Sequence, residues 1–402
     1  MPKKIDVAIV GAGPAGAWAA RKLARAGAQV VVFDASHPRE KPCGGGLTGR
    51  AVGLVSDELR ESQVRAVAVQ GAVFEAARVD GHATAPLHAR VPLTPAGLTA
   101  ASSLVIVSRR SFDGALLEAA VRSGACHVEE RVRDVVAGGD SVKVSTIRQT
   151  ITCDAVIGAD GANSMVRRRV RAPFQRSQLS IAAGAFVHGR TEADVRLCML
   201  ANPGGYLWSF PRPDHLAIGG CAQADAADIR QLRATVSEWM TGRKLHGNGP
   251  VEEYTWPIPS LTFTDFEREA PAGPRWMLVG DAAGVVDPLT REGIFYALRS
   301  AELAAAALAG PSPRETYTSM LRDEIYPELR RAAALKAGFF SSGFSSLMVE
   351  ALGRSGRIRA VMADLVAGRQ SYKALVPRLL ATREFGLAFR LASLLIGGRL
   401  RR

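Results

Sequence analysis

Residues 5–16 read IDVAIVGAGPAG, an apolar run that leads into Gly11, Gly13 and Gly16. The apolar run predicts a buried β-strand, and the alanine-rich residues up to position 26 predict a helix directly after the glycines. In such a unit the first glycine permits a tight turn, the second lets the backbone approach a pyrophosphate, and the third allows close helix–strand packing. The stretch therefore predicts an α/β fold that binds a dinucleotide.

A second strand is predicted over residues 29–33, and it ends in Asp34, whose carboxylate can accept a hydrogen bond from a ribose hydroxyl. A βαβ opening of this kind implies a parallel sheet covered on both faces. The loop alone does not distinguish NAD from FAD. The residues assigned to the dinucleotide at this point are Gly11, Gly13, Pro14, Ala15, Gly16 and Asp34.

The rest of the chain predicts a discontinuous domain with an insertion and a helical tail. Helical periodicity returns at residues 111–123, with Ser111 as the expected N-cap, and residues 180–222 alternate as β-strands do. A helix fits residues 225–241, and everything after Pro313 is expected to be helical. We predict a Rossmann-type dinucleotide-binding domain over residues 1–60, 100–175 and 270–310, a mostly antiparallel β substrate domain over residues 61–99 and 176–269, and a C-terminal helical region over residues 311–402.

The amino-acid composition excludes some classes of protein but does not identify a binding partner. The 402 residues are 47% hydrophobic and 22% charged, which excludes a disordered chain. The formal net charge is +13, and the last 92 residues hold 16 Lys and Arg against 7 Asp and Glu. This basic, apolar tail suggests nucleic acid or an anionic membrane surface, and residues 379–402 suit an amphipathic helix on lipid. The other interpretation is that the tail forms helices that pack into the core with their arginines outward. Nucleic acid is the least favoured, because no recognition fold accompanies the charge.

Several functional classes find no support in the sequence. The five cysteines show neither a CxxC pair nor zinc spacing, so they are expected to be reduced thiols in a cytoplasmic protein. The histidines lack metal-ligand spacing, and no metal site is predicted. No signal peptide and no run of about 18 apolar residues is present. Gly-x-Ser-x-Gly is also absent, which argues against a serine hydrolase.

Further motifs resemble FAD enzymes of the para-hydroxybenzoate-hydroxylase type. Gly158-Ala159-Asp160-Gly161 and Gly280-Asp281-Ala282-Ala283-Gly284 each follow a predicted strand, and Arg110 precedes the predicted helix at 111–123. The resemblance implies FAD as the cofactor, with Asp281 on the ribityl chain and Arg110 beside the pyrophosphate. It also implies that the helix starting near Gly293 and Ile294 points its amides at the flavin. The residues that it adds to the expected cofactor site are Cys43, Gly44, Gly45, Arg110, Asp160, Gly280, Asp281, Gly293 and Ile294.

A second set of motifs is similar to the geranylgeranyl reductase family. Residues 41–47 (KPCGGGL) resemble its Cys-Gly-Gly-Gly-Leu loop, and residues 205–211 (GYLWSFP) resemble its Tyr-x-Trp-x-Phe-Pro segment. Residues 287–294 (DPLTREGI) resemble its Pro-Leu-Thr-Gly-Glu-Gly-Ile segment, with Arg291 where glycine is usual. The side chain of Arg291 either points to solvent or binds an anionic group of a substrate or electron donor.

The resemblance implies a flavoprotein oxidoreductase that saturates double bonds of a prenyl chain on a lipid or quinone-like carrier. Tyr206 and Trp208 would line the substrate cavity, and the Cys43 thiol would act as a proton relay or be merely structural. Electrons would come from NAD(P)H or a reduced iron–sulfur protein. The alternative is a monooxygenase or halogenase acting on an aromatic or polyketide-like molecule. A cytoplasmic monomer with peripheral contact at the inner face of the membrane, and no nucleic acid, completes the expectation.

Overall fold

The computed structural model describes residues 4–76, 87–93 and 104–397. The predicted substrate segment 61–99 and the tail 379–402 therefore lie partly outside the described residues. The strands are β1 (Val7–Val10), β2 (Val30–Phe33), β3 (Gly46–Leu47), β4 (Ala66–Ala68), β5 (Gly71–Ala76), β6 (Leu87–Pro92), β7 (Val105–Val107), β8 (Cys126–Val128), β9 (Asp134–Gly138), β10 (Ser141–Ser145), β11 (Thr150–Cys153), β12 (Ala155–Gly158), β13 (Leu179–His188), β14 (Asp194–Ala201), β15 (Gly204–Pro211), β16 (His215–Gln223), β17 (Val251–Pro259), β18 (Ala272–Gly273) and β19 (Trp276–Leu278).

The helices are α1 (Pro14–Arg25), α2 (Gly49–Glu61), α3 (Arg109–Arg122), α4 (Met165–Val170), α5 (Ile229–Gly242), α6 (Phe263–Arg268), α7 (Ile294–Leu308), α8 (Pro313–Met320), α9 (Tyr326–Phe339), α10 (Ser342–Arg354), α11 (Gly356–Val366), α12 (Tyr372–Ala381) and α13 (Phe385–Gly397). A 3₁₀ turn (Gly280–Ala283) follows β19, and a π-helical turn (Leu321–Ile325) joins α8 to α9. The prediction that the chain is helical after Pro313 is confirmed up to residue 397.

A six-stranded sheet carries the glycine-rich loop. Its order is β18-β19-β12-β1-β2-β8, and the five strands from β19 to β8 run parallel. Strands β1 and β2 are buried at every position, because α1, α3 and α7 cover the sheet. In this sheet β2 lies on one side of β1 and β12 lies on the other. This reversal of strand order opens a crevice at the carboxyl ends of β1 and β12, where α/β sheets bind ligands.

A second large sheet forms one wall above that crevice. Its order is β17-β13-β16-β15-β14-β5-β6, and all neighbours are antiparallel except β14 and β5. The expected fold class, a Rossmann-type parallel sheet with a mostly antiparallel β insertion and a C-terminal helical region, is confirmed. The exact domain boundaries stay a prediction.

The C-terminal helices share a hydrophobic core with the second large sheet. Apolar side chains of α9 to α13 form one cluster with β5, β6 and β14, as Phe339, Leu347, Met362 and Leu375 show. The tail therefore does not stand apart from the substrate sheet, because its helices cover the edge formed by β14, β5 and β6. This packing brings residues more than 150 positions away in sequence to the same cavity as the glycine-rich loop.

Two predicted helix starts are wrong. Helix α3 begins at Arg109, because the Ser108 side chain caps it by accepting from the Ser111 amide. Helix α5 begins at Ile229 rather than at residue 225, because the Asp228 carboxylate accepts from the Arg230 and Gln231 amides. The shift at α3 matters for the site, since it changes which arginine enters the cavity.

Candidate functional site

One cavity of about 730 Å³ extends from the crevice of the parallel sheet to the C-terminal helices. It is lined at one end by the loop after β1, the strand end at Asp34, and the loop around Asp160. The other end is apolar. The two ends meet near Cys43 and the start of α7, so a single ligand site and an apolar arm share one space.

The three glycines of the first loop occupy positions with different structural constraints. Gly11 adopts φ +102°, and a Cβ there would lie 2.5 Å from the Ala159 carbonyl oxygen. A Cβ on Gly16 would lie 1.8 Å from the Gly11 carbonyl oxygen, which is the close helix–strand packing that the sequence predicts. Gly13 differs, because its Cβ would meet only the His37 Nε2 at 3.7 Å. A side chain at Gly13 would therefore meet little of the protein and would extend into the cavity.

The start of α1 offers unpaired donors to an anion. Gly13 is the N-cap and supplies no side-chain acceptor, while Pro14 occupies the first turn. The first amides of a helix lack intrahelical partners and carry the positive end of the helix dipole, which suits a pyrophosphate. Gly11, Gly13, Pro14 and Ala15 line the cavity, whereas Gly16 packs behind the loop.

Asp34 is held as a carboxylate at the end of β2. Its Oδ2 accepts from the Ala12 amide at 2.9 Å and lies 2.8 Å from the His37 Nδ1, and its Oδ1 accepts from the Ser36 amide at 2.7 Å. Burial acts against the charge, but the hydrogen bonds from His37, Ala12 and Ser36 hold the pKa of Asp34 well below its ordinary value. Asp34 thus stays ionised and able to accept a hydrogen bond while it also orders the glycine-rich loop.

The arginine expected beside the pyrophosphate is not Arg110. Arg110 is exposed and does not line the cavity, whereas Arg109 is 3% exposed and does. The Arg109 Nε and Nη2 donate to the Asp113 carboxylate at 2.8 Å each, and its Nη1 lies 3.3 Å from the Cys43 Sγ. Burial opposes the charge, yet Asp113 and Cys43 hold the pKa of Arg109 above its ordinary value. Because α3 begins at Arg109, with Ser108 as its cap, the arginine that lines the cavity lies one residue before the one assigned from the sequence.

The loop after Cys43 requires its glycines. A Cβ on Gly44 would lie 2.8 Å from the Phe210 ring, and Gly45 has φ +78° with the Val107 carbonyl oxygen 2.3 Å from a Cβ position. Cys43, Gly44 and Gly45 all line the cavity, as predicted for this loop, while their contact with a cofactor stays a prediction.

Arg212 supports this loop from behind and was not assigned to the site from the sequence. It is fully buried, pairs with Glu40, and its Nη2 donates to the Cys43 carbonyl oxygen at 2.6 Å. The same Nη2 lies 3.9 Å from the Cys43 Sγ. Burial lowers the pKa of Arg212 to about 10. Cys43 is therefore flanked by two buried guanidinium groups from distant parts of the chain.

Two further acidic residues near the cofactor end, Asp281 and Asp160, have different partners. The Asp281 Oδ2 accepts from the Lys41 Nζ at 3.0 Å, and a Cβ on Gly293 would lie 3.5 Å from the Asp281 Oδ1. Asp281 and the start of α7 thus converge, and Asp281, Gly293 and Ile294 line the cavity, whereas Gly280 lies behind it in a 3₁₀ turn. Asp160 also lines the cavity, although its carboxylate accepts from the Met165 and Val166 amides at the start of α4. Burial raises the pKa of Asp160.

Tyr206 and Trp208 mark the passage into the apolar arm. They occupy alternate positions of β15, their ring centroids are 5.8 Å apart, and both line the cavity. The Tyr206 hydroxyl donates to the Thr290 carbonyl oxygen at 2.7 Å, which ties the substrate sheet to the loop before α7. Beyond them the wall is apolar, formed by Phe74, Leu104, Val195, Leu197, Met199, Phe339, Met362, Leu365 and Val366.

The C-terminal helices add a residue that the motifs did not indicate. The Tyr372 hydroxyl donates to the Asp287 Oδ2 at 2.8 Å, while the Asp287 Oδ1 accepts from the Leu289 and Thr290 amides. Tyr372 lines the cavity and is buried. No motif surrounds Tyr372 in the sequence. Its position in the cavity follows only from the packing of α12 beside the loop that holds Asp287.

Comparison with known proteins agrees with this geometry. A family model described as an FAD binding domain matches residues 4–321. The chain belongs to this family of FAD-dependent oxidoreductases. The predicted cofactor class, FAD, is thereby confirmed, and the glycine cradle, the amides of α1 and the ionised Asp34 fit it.

Two of the relatives are named as reductases. Menaquinone reductase of Mycobacterium tuberculosis is 30% identical over 82% of this chain and 83% of that protein. The chloroplastic geranylgeranyl diphosphate reductase of Arabidopsis thaliana is 27% identical over 76% of this chain and 66% of that protein. The predicted relationship to geranylgeranyl reductases is confirmed.

Solved structures agree on the fold. A geranylgeranyl bacteriochlorophyll reductase-like protein from Thermoplasma acidophilum superposes with a TM-score of 0.71 and 21% identity, over 94% of this chain and 99% of that one. A flavin-dependent brominase superposes with a TM-score of 0.70 and 18% identity, over 96% and 99%. At these identities the structures establish the shared fold and do not separate reduction from halogenation.

We predict that Gly13→Val blocks FAD binding while it spares the fold. The backbone at Gly13 has φ −66°, and little protein lies near its Cβ position, so the valine enters the cavity instead. FAD affinity is expected to fall at least about tenfold, as overpacking of a tight contact costs roughly 1–3 kcal/mol. Flavin absorbance of the purified protein and thermal unfolding of the FAD-free form measure the two effects.

The matched control is Gly53→Val in α2, where a Cβ would meet nothing within 4 Å and no cavity is present. It should retain FAD. Wild-type FAD affinity in the Gly13 variant would contradict placement of the cofactor against this loop.

Proposed function

We propose that the chain is an FAD-dependent reductase that saturates carbon–carbon double bonds of a prenyl chain on a lipid or quinone-like carrier. The apolar arm of the cavity carries the proposal. It leads from the residues proposed to hold the cofactor, past Tyr206 and Trp208, to the aliphatic and aromatic side chains of β5, β14 and α11. A long apolar chain matches such a lining, whereas a compact polar substrate leaves it unfilled.

The proposed cofactor residues are the loop Gly11–Gly16, Asp34, Asp281, Gly293 and Ile294, with Arg109 in place of Arg110. Bound FAD, once reduced, supplies a hydride from N5 to one carbon of the double bond, and a proton goes to the neighbouring carbon. The protein's own part is to position an unactivated alkene and to exclude water from it, through the buried walls around Trp208 and Leu197.

Cys43 is the proposed proton relay at the junction of the two ends. Its Sγ lies beside the Arg109 Nη1, and its carbonyl oxygen is fixed by the Arg212 Nη2. Gly44 and Gly45, which carry no side chains, line the cavity beside it. A thiol held there can pass a proton to a carbon in the cavity and recover it from water through the open end.

NAD(P)H or a reduced iron–sulfur protein is the proposed electron donor. The cavity is lined by the basic side chains Arg39, Lys41, Arg131 and Arg168. The Arg39 guanidinium lies 5.2 Å from the Trp256 ring centroid, which leaves a cationic and aromatic surface for a phosphate-bearing or acidic donor.

We predict that anaerobically reduced enzyme is reoxidised by a prenyl substrate. FAD reduced with dithionite should return to the oxidised spectrum when a geranylgeranyl lipid without a quinone ring is added in the absence of oxygen. The product should gain two hydrogens for each saturated bond, measured by mass spectrometry. The fully saturated phytanyl analogue serves as the control and should leave the flavin reduced.

Monooxygenation or halogenation is the alternative, and the same experiment separates it. Reoxidation that requires oxygen, with an oxygenated or halogenated product from an aromatic substrate, would overturn the reductase proposal. The segment at Tyr206, Trp208 and Phe210 differs at two positions from the Trp-x-Trp-x-Ile-Pro pattern of flavin halogenases, which favours reduction.

We predict that Cys43→Ala lowers the rate of flavin reoxidation by the prenyl substrate about 100-fold or more, the usual size of a lost general-acid contribution. FAD content and reduction by dithionite should be unchanged. Stopped-flow absorbance measures both half-reactions, and Cys126→Ala, outside the cavity, is the control. Full turnover in the Cys43 variant would leave this cysteine without a catalytic role.

We also propose a peripheral contact between α13 and the anionic inner face of a membrane. Phe389, Leu394 and Ile396 are 65%, 37% and 41% exposed, Arg390 lies beside them, and Leu391 and Leu395 anchor the opposite face in the core. None of the described helices is long and apolar enough to cross a bilayer. A helix with exposed apolar and basic residues suits the lipid interface, where a prenyl lipid is available.

Replacing Phe389, Leu394 and Ile396 together by serine should reduce co-sedimentation with phosphatidylglycerol vesicles at least about tenfold, because the buried apolar area is lost. The control replaces Val136, Ile147 and Val251, which are each at least 50% exposed and lie elsewhere. Equal vesicle binding by both variants would contradict the contact.

A further inference from the structure

Arg291 holds a backbone conformation that is unfavourable for its side chain. Its φ is +62°, in the left-handed region that favours glycine. The residue lies between Thr290 and Glu292, in the loop that leads to the N-cap of α7, and this loop lines the cavity together with Asp281. An arginine in a conformation that favours glycine suggests that its side chain has a role that glycine could not fill.

The side chain of Arg291 is partly buried and has no carboxylate partner among the described residues. Its Nη1 donates to the Ser260 Oγ at 2.7 Å and to the Pro288 carbonyl oxygen, while Nε and Nη2 are buried with no hydrogen-bond partner. Within the described residues, no Asp or Glu forms an ion pair with it. The nearby Asp287 carboxylate instead accepts from the Tyr372 hydroxyl and from two backbone amides.

The buried arginines of the chain show the opposite arrangement. Within the described residues, the buried arginines are Arg109, Arg167 and Arg212, and they pair with the carboxylates of Asp113, Glu269 and Glu40. A buried charge without a counter-charge is costly, so its retention beside the cavity points to an anion in the working state of the protein.

A second cation increases the positive potential at this place. The Lys336 Nζ of α9 donates to the same Ser260 Oγ at 2.8 Å, so that one hydroxyl bridges an ammonium and a guanidinium. The amides at the start of α7 add a partial positive charge a few residues further along the chain. Arg291 and the start of α7 thus line the cavity, and the Lys336 ammonium lies behind them, one hydroxyl away from the Arg291 guanidinium.

We propose that Arg291 is a redox-tuning residue, whose charge raises the midpoint potential of the bound FAD. Two-electron reduction of FAD to its anionic form takes up two electrons and one proton, so the group gains one negative charge. A buried cation close to that charge favours the reduced state over the oxidised state. The inference rests on FAD binding and is independent of the substrate that the enzyme reduces.

The experiment compares the FAD-loaded wild type with Arg291→Gly and Arg291→Lys. Glycine adopts φ +62° without strain, so the first variant removes the charge and should retain the fold and the cofactor. Each protein is reduced slowly without oxygen by xanthine and xanthine oxidase beside a reference dye. The midpoint potential follows from the two absorbance changes, and no substrate or turnover is involved.

The matched control is Arg275→Gly. Arg275 also has φ +62°, but it donates to the Gly139 and Asp154 carbonyl oxygens and does not line the cavity. At a fixed solution potential, Arg291→Gly should shift the ratio of reduced to oxidised FAD at least tenfold toward the oxidised form, which is about 30 mV for a two-electron couple. Arg275→Gly and Arg291→Lys should stay close to the wild type.

Three results would overturn the proposal. An unchanged potential in Arg291→Gly would show that the charge does not act on the flavin. An equal fall in Arg291→Lys would assign the effect to shape and not to charge. Loss of FAD from Arg291→Gly would place Arg291 among the residues that hold the cofactor.

Discussion

The close approach of two backbone segments at the carboxyl ends of β1 and β12 is the constraint on which the site depends. At Gly11 the chain turns with its Cα against the Ala159 carbonyl oxygen, and a Cβ there would lie only 2.5 Å from that atom. This contact lets β1 and β12 stay paired while the loop bends away to start α1. The crevice, the free amides of α1 and the position of Asp34 all follow from it, because each lies at this edge of the sheet.

Around that crevice the buried charged side chains form ion pairs. Arg109 with Asp113, and Arg212 with Glu40, place two guanidinium groups near Cys43 without leaving a bare charge in the interior. His37 joins this set, since it bridges Asp34 and Asp113, whose hydrogen bonds raise its pKa although burial lowers it. Such pairs contribute little net stability, yet removal of one partner leaves a buried charge. They fix the geometry of the loops that line the cofactor end.

The sequence predicts local features of the site well. Glycine spacing, the acid at the end of β2 and the alternation of Tyr206 with Trp208 are set by nearby residues, and these positions line the cavity. The arginine assignment failed by one residue, because Ser108 and Ser111 are both capable caps and lie about one helical turn apart. Arg212 and Tyr372 could not be found, since their roles arise from packing between segments distant in sequence.

The C-terminal helices couple the two ends of the cavity. The loop from Asp287 to Gly293 is held on one side by Tyr206 of the substrate sheet, through the Thr290 carbonyl oxygen, and on the other by Tyr372, through the Asp287 carboxylate. Both tyrosines also line the arm proposed to receive the prenyl chain. A ligand that enters this arm therefore touches the side chains that position the loop before α7. The hydrogen bonds of the two tyrosines therefore fix the chain at Asp287 and at Thr290, six and three residues before Gly293, the N-cap of α7.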